Sequence, residues 1–424
     1  MENSSLSNWL KALESGGSKA INLGLEKCSV VKSNLNLSLS SKKVVTVAGT
    51  NGKGSSIALL ESILLKLGYE VGTYTSPHIR SFNERIKING KSVLDRTIVD
   101  AFSRVESGRR GIELTYFEFS TLAAFFIFER MPLDFVLLEV GLGGRLDAVN
   151  TVNPDFCLIT SIGLDHQEHL GHSRYQIGYE KAGIMRSDVL CVCSDPEMPS
   201  SILNRAHQVG CELKIIGVDF FVRYYDSCWD WWDEKNSIEG LSKDFLKGDH
   251  QIQNAAGAFA LVDQIEGCLD GNLVKKAIAD VGLEGRFQEL EVSGRKIILD
   301  VAHNPQSAAA LALNLFGLGN CAKTFGVVSL MKTKDLAGFL SGLVGVIDIW
   351  IFPTLAHTGM HSNLSLQKEL SKIKKNTTSI CCDSVEEAMD LALTRSGLGD
   401  VIVACGSFMM VGKVTEYLEG LPRK

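Results

Sequence analysis

The sequence predicts an α/β protein of mainly parallel sheets, with a P-loop, phosphate-binding domain first and a smaller Rossmann-like C-terminal domain after it. Three observations carry this reading. β-like and helix-like segments alternate over most of the 424 residues, the pattern of parallel strands joined by helices. A glycine-rich stretch, Gly49-Thr50-Asn51-Gly52-Lys53-Gly54-Ser55, joins an apolar β-like run to a helix-like run. Near Gly285 a strand–turn–helix pattern starts again, which places a boundary near residue 287 and gives domains 1–287 and 288–424.

The first strand is read at 44–48 and the helix behind the glycine loop at 57–67. Residues 134–140 and 156–160 read as buried strands, each ending in a loop rich in Gly, Asp and His. Open parallel sheets bind ligands at such carboxyl ends. Residues 185–240 differ: short β runs at 189–193, 213–217 and 220–225 meet an acidic, aromatic patch around Trp229, Trp231 and Trp232. An antiparallel appendage is expected there, its tryptophans packing a hairpin rather than forming a binding platform. Residues 251–264 read as a helix. The second domain runs through a strand at 296–300, the turn Val301-Ala302-His303-Asn304-Pro305, a helix at 306–315, strands at 324–329, 347–352 and 400–405, and a helix at 385–393.

Composition narrows the partners. A formal charge of −6 over this length argues against nucleic-acid and anionic-membrane binding. The longest plain apolar run, 122–128, is too short to span a bilayer. Residues 1–7 are polar without a signal-peptide pattern, so a cytoplasmic location is expected. The eleven cysteines include two close pairs, Cys191-Val192-Cys193 and Cys381-Cys382, neither with zinc-site spacing. Reduced, buried thiols are expected.

Several residues are placed for chemistry. Glycines let backbone N–H groups close around phosphate oxygens, and a helix N-terminus adds a favourable dipole. Lys53 would neutralise the β/γ oxygens and Ser55 would reach Mg²⁺. The loop is two residues shorter than the standard Walker A pattern, and Gly54 separates Lys53 from Ser55. Glu139 closes an apolar strand, where a carboxylate needs a cation or a metal. It can hold Mg²⁺ beside the loop or form a structural ion pair. Gly141, Gly143 and Gly144 suggest a dinucleotide fingerprint, but Leu146 stands where the third glycine belongs. His166 follows a strand end, where imidazole suits a second cation. Lys181 reads as a surface lysine at a helix end. Arg286 stands at the domain junction, suited to reach phosphates or to form an interdomain ion pair, and Asp300 is suited to a ribose hydroxyl.

Eight motifs occur in order: GTNGKGS (49–55), TSPH (75–78), EVGLGGRLD (139–147), LDH (164–166), EKAGI (180–184), GRFQ (285–288), LDVAHNP (299–305) and GSF (406–408). In these the chain resembles the folylpolyglutamate synthases of the Mur-ligase superfamily, and most the bacterial bifunctional type that is also a dihydrofolate synthase. The resemblance covers nearly the whole chain. It implies a Mur-ligase-type central domain followed by a Mur-type C-terminal domain. It also implies an ATP-dependent ligase that forms an acyl phosphate and couples it to L-glutamate, with dihydropteroate and tetrahydrofolate as the acids.

The resemblance assigns Gly52, Lys53, Gly54 and Ser55 to ATP phosphates, and Asn254, Arg286, Asp300 and His303 to the nucleotide side. It makes Ser55, Ser76, Glu139, His166 and Lys181 ligands of two Mg²⁺ ions, Lys181 as a carbamate. Lys53, Glu139, His166, Lys181 and Arg286 form the implied catalytic set. The pterin side would use Asn22, Leu23, Gly24 and Leu25, then Thr115, Tyr116, Phe117 and Glu118, then Leu146, Asp147 and Ala148, with Phe117 stacking on the flat ring. A monomer is expected. Asn22 stands where bifunctional relatives commonly have Asp, Glu284 replaces a Pro, Thr333 an Asp, and His357-Thr358-Gly359 lies where an Arg is often found. Val301 leans towards the bifunctional type.

Two other readings stand beside this one. A peptidoglycan-precursor Mur ligase would carry a further N-terminal UDP-binding domain, for which the roughly forty residues before the loop are too few. A non-catalytic nucleotide-gated binding protein would not need Lys53, Glu139, His166 and Lys181 together.

Overall fold

A computed structural model of the chain describes residues 5–16, 24–319 and 321–421. The described residues divide into two compact units. One is drawn from Met1–Ile162, Leu170–Leu246 and Gln251–Val281, the other from Gly163–His169, Lys247–His250 and Gly282–Lys424.

The first unit is built on an eight-stranded sheet. In chain order its strands are β1 (Lys43–Ala48), β2 (Val71–Tyr74), β3 (Ile86–Ile88), β4 (Lys91–Ser92), β5 (Phe135–Glu139), β6 (Phe156–Ile159), β7 (Leu190–Cys193) and β8 (Glu212–Ile215). They lie side by side as β4-β3-β2-β5-β1-β6-β7-β8. The six from β2 to β8 run parallel, and β3 and β4 turn back antiparallel at one edge. β5 is buried at every residue and β1 at all but its first. Strands covered on both faces show continuous apolar runs rather than alternation, so both were visible in the sequence. Val47 pairs in register with Glu139 on one side and Leu158 on the other, so three carboxyl ends finish level.

The expected antiparallel appendage at 185–240 needs correction. β7 and β8 extend the main sheet in parallel. Only β9 (Phe220–Tyr224), β10 (Cys228–Asp233) and β11 (Ser237–Ser242) form an antiparallel sheet. β7 is a short, largely buried run, whereas β10 alternates in burial, and that alternation is what marks a one-faced sheet. Trp229 and Trp231 of β10 are buried against Phe259 of the helix Asp249–Glu266, with ring centroids 5.6 and 6.3 Å away. They pack the hairpin, as expected.

The second unit holds a six-stranded sheet. Its strands are β12 (Gln288–Val292), β13 (Arg295–Asp300), β14 (Thr324–Val328), β15 (Ile349–Pro353), β16 (Thr378–Cys382) and β17 (Val401–Cys405). Their order is β12-β13-β17-β14-β15-β16, all parallel except β12. Cys405 pairs with both Asp300 and Val328, which brings the segments after β13, β14 and β17 to one end of the sheet. β12 and β16 carry no continuous apolar run and were not legible in the sequence. All eleven cysteines are free thiols. Among the described residues no helix is long and apolar enough to cross a membrane.

Candidate active site

The glycine loop leaves β1 and enters the helix Lys53–Lys66. Gly52, its N-cap, has φ +96° and no side chain with which to cap the helix. A Cβ there would lie 2.2 Å from Asn254 Oδ1, so glycine is required both for the backbone angle and for the close approach. The first turn carries no acidic residue. A helix N-terminus without a side-chain cap, the helix dipole and a first turn free of acidic residues make an anion site. The loop is braced from β6: Thr160 Oγ1 donates to the Asn51 carbonyl at 2.8 Å, and the Thr50 N–H to the Ser161 carbonyl at 2.8 Å.

Two lysines meet at this loop. Lys53 Nζ donates to the carbonyls of Gly49 at 3.1 Å and Thr50 at 3.3 Å, and lies 4.0 Å from Glu139 Oε1. Lys181, at the end of the helix Arg174–Lys181, donates to the same Gly49 carbonyl at 2.7 Å and is 4% exposed. It is therefore not the surface lysine that its sequence position suggests. Glu139 ends β5 in the interior and accepts the Ser76 N–H at 3.0 Å. Ser55 Oγ is buried without a hydrogen-bond partner among the described residues.

Phe117 lies on the helix Tyr116–Glu129, against Gly141, where a Cβ would be 2.5 Å from its ring. Its ring centroid is 5.9 Å from that of Tyr74. Thr115 and Glu118 already have structural work: the Thr115 hydroxyl accepts the Glu118 N–H, and the Glu118 carboxylate accepts the Thr115 N–H, a capping box. Asp147 likewise caps its own turn, accepting the N–H groups of Leu142 at 2.7 Å and Val149 at 3.0 Å. Burial pushes its carboxyl up to about 6, opposed by those N–H bonds. Leu146 is half-buried and Ala148 buried beside it. Gly24 and Leu25 precede the helix Glu26–Asn34, while Asn22 and Leu23 lie outside the described residues.

The second unit gathers a separate cluster. Asp165 accepts two bonds from Lys334 Nζ, at 2.8 and 2.9 Å, with His303 Nε2 3.6 Å away and Asn304 Nδ2 3.3 Å away. Burial alone would raise the Asp165 carboxyl, but His303, Lys334 and His166 outweigh it and hold it well below the usual range. His166 places Nε2 3.0 Å from Lys334 Nζ. Asp300 accepts the N–H groups of Phe287 at 2.8 Å and Ala302 at 2.7 Å, tying GRFQ to the turn after β13. Burial pushes this carboxyl up to about 6 against the Arg286 charge. Arg286 lies over the Phe408 ring at 5.3 Å, and His303 neighbours the same ring at 5.9 Å.

Of the expected metal set, Ser55, Ser76, Glu139 and Lys181 belong to the first unit and His166 to the second. Asn254 belongs to the first unit, and Arg286, Asp300 and His303 to the second. Lys334 was not picked out from the sequence. It follows the carboxyl end of β14, and that position was the available signal.

Residues 285–408 match the family model described as "Mur ligase, glutamate ligase domain". The chain is 38% identical over 416 residues to the dihydrofolate synthase/folylpolyglutamate synthase of Escherichia coli K12, covering 98% of this chain and 96% of that protein. Its fold is similar to that of E. coli FolC in complex with DHPP and ADP, with a TM-score of 0.93, 37% identity and 99% of each chain covered. A bifunctional folylpolyglutamate synthase/dihydrofolate synthase solved with Mn, AMPPNP and L-glutamate bound is similar at a TM-score of 0.90 and 36% identity, again over 99% of each chain. With full-length identity of this order joined to a matching two-unit α/β fold, this chain belongs to the dihydrofolate synthase/folylpolyglutamate synthase family.

Proposed function

We propose that this chain is an ATP-dependent C–N ligase that adds L-glutamate to dihydropteroate, giving dihydrofolate, and to tetrahydrofolate, giving polyglutamates. The observation that carries the proposal is the uncapped helix N-terminus at Gly52, with Lys53, Lys181 and Glu139 around one loop. The relatives solved with nucleotide and with L-glutamate support it.

A carboxylate is a poor electrophile because its oxygen is a poor leaving group. Its oxygen attacks the γ-phosphorus, ADP departs, and an acyl phosphate forms. The glutamate nitrogen then attacks the acyl carbon, losing a proton as phosphate leaves. The loop N–H groups and Lys53 hold the triphosphate and neutralise charge on its oxygens. Asn254, beside Gly52, and Arg286, Asp300 and His303 are assigned to the nucleotide. Phe117 offers a flat wall for the heterocycle.

We assign Ser55, Ser76, Glu139, His166 and Lys181 to two Mg²⁺ ions, which when bound would stabilise charge on the bridging oxygens. The orphaned Ser55 hydroxyl and the interior Glu139 fit a hard cation. Among the described residues no group of three His, Cys, Asp or Glu is placed to hold a metal ion, so hydroxyls, phosphate oxygens and a modified Lys181 would complete the ligand set. Lys181 is buried and shares the Gly49 carbonyl with Lys53, and a carbamate there requires its neutral amine form. Such an amine adds CO₂ and releases a proton to become an anionic carbamate.

The chain is assigned to the cytoplasm as a monomer, with domains 1–287 and 288–424 as its working parts. The test is one assay with ATP, glutamate and, separately, dihydropteroate and tetrahydrofolate. ADP release that requires both acid and glutamate is expected. ADP release independent of glutamate would refute ligation and favour a nucleotide-gated binding protein.

A further inference from the structure

Arg85 directly precedes β3, at the end of the turn Phe82–Arg85 in the first unit, and is 8% exposed. Its Nε donates to His78 Nδ1 at 2.9 Å. Its guanidinium lies over two rings, Phe82 at 5.5 Å and Tyr116 at 5.3 Å. Among the described residues no carboxylate pairs with it. The nearby Glu84 carboxylate is committed to the N–H groups of Ile79, Arg80 and Ser81. Of the residues outside the described set, Glu2 carries the one side-chain carboxylate.

A buried charge is costly unless paired. Here the compensation is two aromatic faces and one ring nitrogen of His78, which accepts from Arg85 Nε. The surroundings point to a ligand. His78 lies two residues beyond Ser76, whose N–H is bonded to Glu139. Tyr116 precedes Phe117, which lies beside Tyr74 and Gly141. A planar cation among aromatic walls suits a flat heterocycle rather than a hydrated anion. A guanidinium fork recognises a carbonyl oxygen and an adjacent ring nitrogen together, as arginine does on guanine.

Building on the proposed function, we propose that Arg85 binds the acid substrate, its Nη groups donating to the carbonyl oxygen and neighbouring ring nitrogen of the fused heterocycle. In a 7,8-dihydropterin that nitrogen is an acceptor; in a tetrahydropterin it carries a hydrogen. Arg85 therefore favours dihydropteroate over tetrahydrofolate.

The test is calorimetric binding to wild type and Arg85→Lys, which keeps the charge and loses the fork, with Arg85→Met as a second variant. Probes are dihydropteroate, a 7,8-dihydropterin without the aminobenzoate arm, p-aminobenzoylglutamate and an ATP analogue. For Arg85→Lys we expect dihydropteroate binding weakened roughly tenfold to a hundredfold. The dihydropterin should lose affinity in parallel, with p-aminobenzoylglutamate and the ATP analogue within twofold of wild type and the melting temperature little changed. Unchanged dihydropteroate affinity in Arg85→Lys would show a purely structural arginine and overturn the proposal. A loss confined to p-aminobenzoylglutamate would assign Arg85 to a carboxylate and also overturn it. Failure of wild type itself to bind dihydropteroate would instead bring down the proposed function, and this inference with it.

Discussion

Replacing Lys334 by Met removes the cation that holds Asp165. The side chains are 7% and 9% exposed, so solvent screens the pair little. At 2.8 Å and an effective dielectric constant of about 20, the attraction is about 6 kcal/mol. Most of that offsets desolvation, and breaking such a buried pair on one side costs about 3–5 kcal/mol. His303 Nε2 lies 3.6 Å from Asp165, and loss of Lys334 removes one of the charges that hold its pKa down, so it can take a proton and replace part of the lost charge, which favours the lower end, about 3 kcal/mol. For a unit of this size that lowers the melting transition by about 6–12 °C. The pH dependence has a definite sign. The native Asp165 carboxyl sits below its unfolded value, so its stabilisation is complete above about pH 4 and falls away as pH drops further. In Lys334→Met the carboxyl rises towards its ordinary value, and the acid slope below pH 4 flattens. Calorimetry between pH 3 and 7 reads both effects. Adding Asp165→Asn to Lys334→Met should recover part of the loss, because it removes the uncompensated charge. A variant with wild-type melting and acid slope, or a double mutant that loses the sum of the two single losses, would refute the reasoning.

Three further outcomes are expected. Lys53→Ala should lose acyl-phosphate formation by at least a hundredfold while unfolding within a few degrees of wild type, since its bonds are to loop carbonyls; full single-turnover phosphoryl transfer would contradict the phosphate-loop assignment. Lys181→Ala should nearly abolish ligation, with partial rescue by added short carboxylates; turnover equal to wild type would remove the carbamate and its metal role. Phe117→Ala should raise KM for dihydropteroate about tenfold and leave that for ATP near its wild-type value; equal changes in both would count against stacking.

The parallel order of β1, β5 and β6 and the loop after β1 were legible because buried central strands and a glycine turn each leave a local mark. β16 left none: its run is short and half-buried, and its place depends on pairing with β15. β7 was read into the wrong sheet, because a four-residue apolar run does not say whether its partner runs parallel. In the site, Lys53 and Glu139 could be read from their places at the ends of a turn and a strand. Lys181 could not, since burial at a helix end is a property of what packs on it. Arg85 and Lys334 were invisible for the same reason.

The sequence by itself determined the fold class, the phosphate loop and the family, because these rest on the local period of apolar residues and on ordered motifs. Only the tertiary structure decided that Lys53 and Lys181 share the Gly49 carbonyl, that Asp165 is held by Lys334, and that Arg85 is enclosed by two aromatic rings. Those partners lie from a few residues to well over a hundred apart along the chain, and an interaction energy depends on the distance and burial that folding sets.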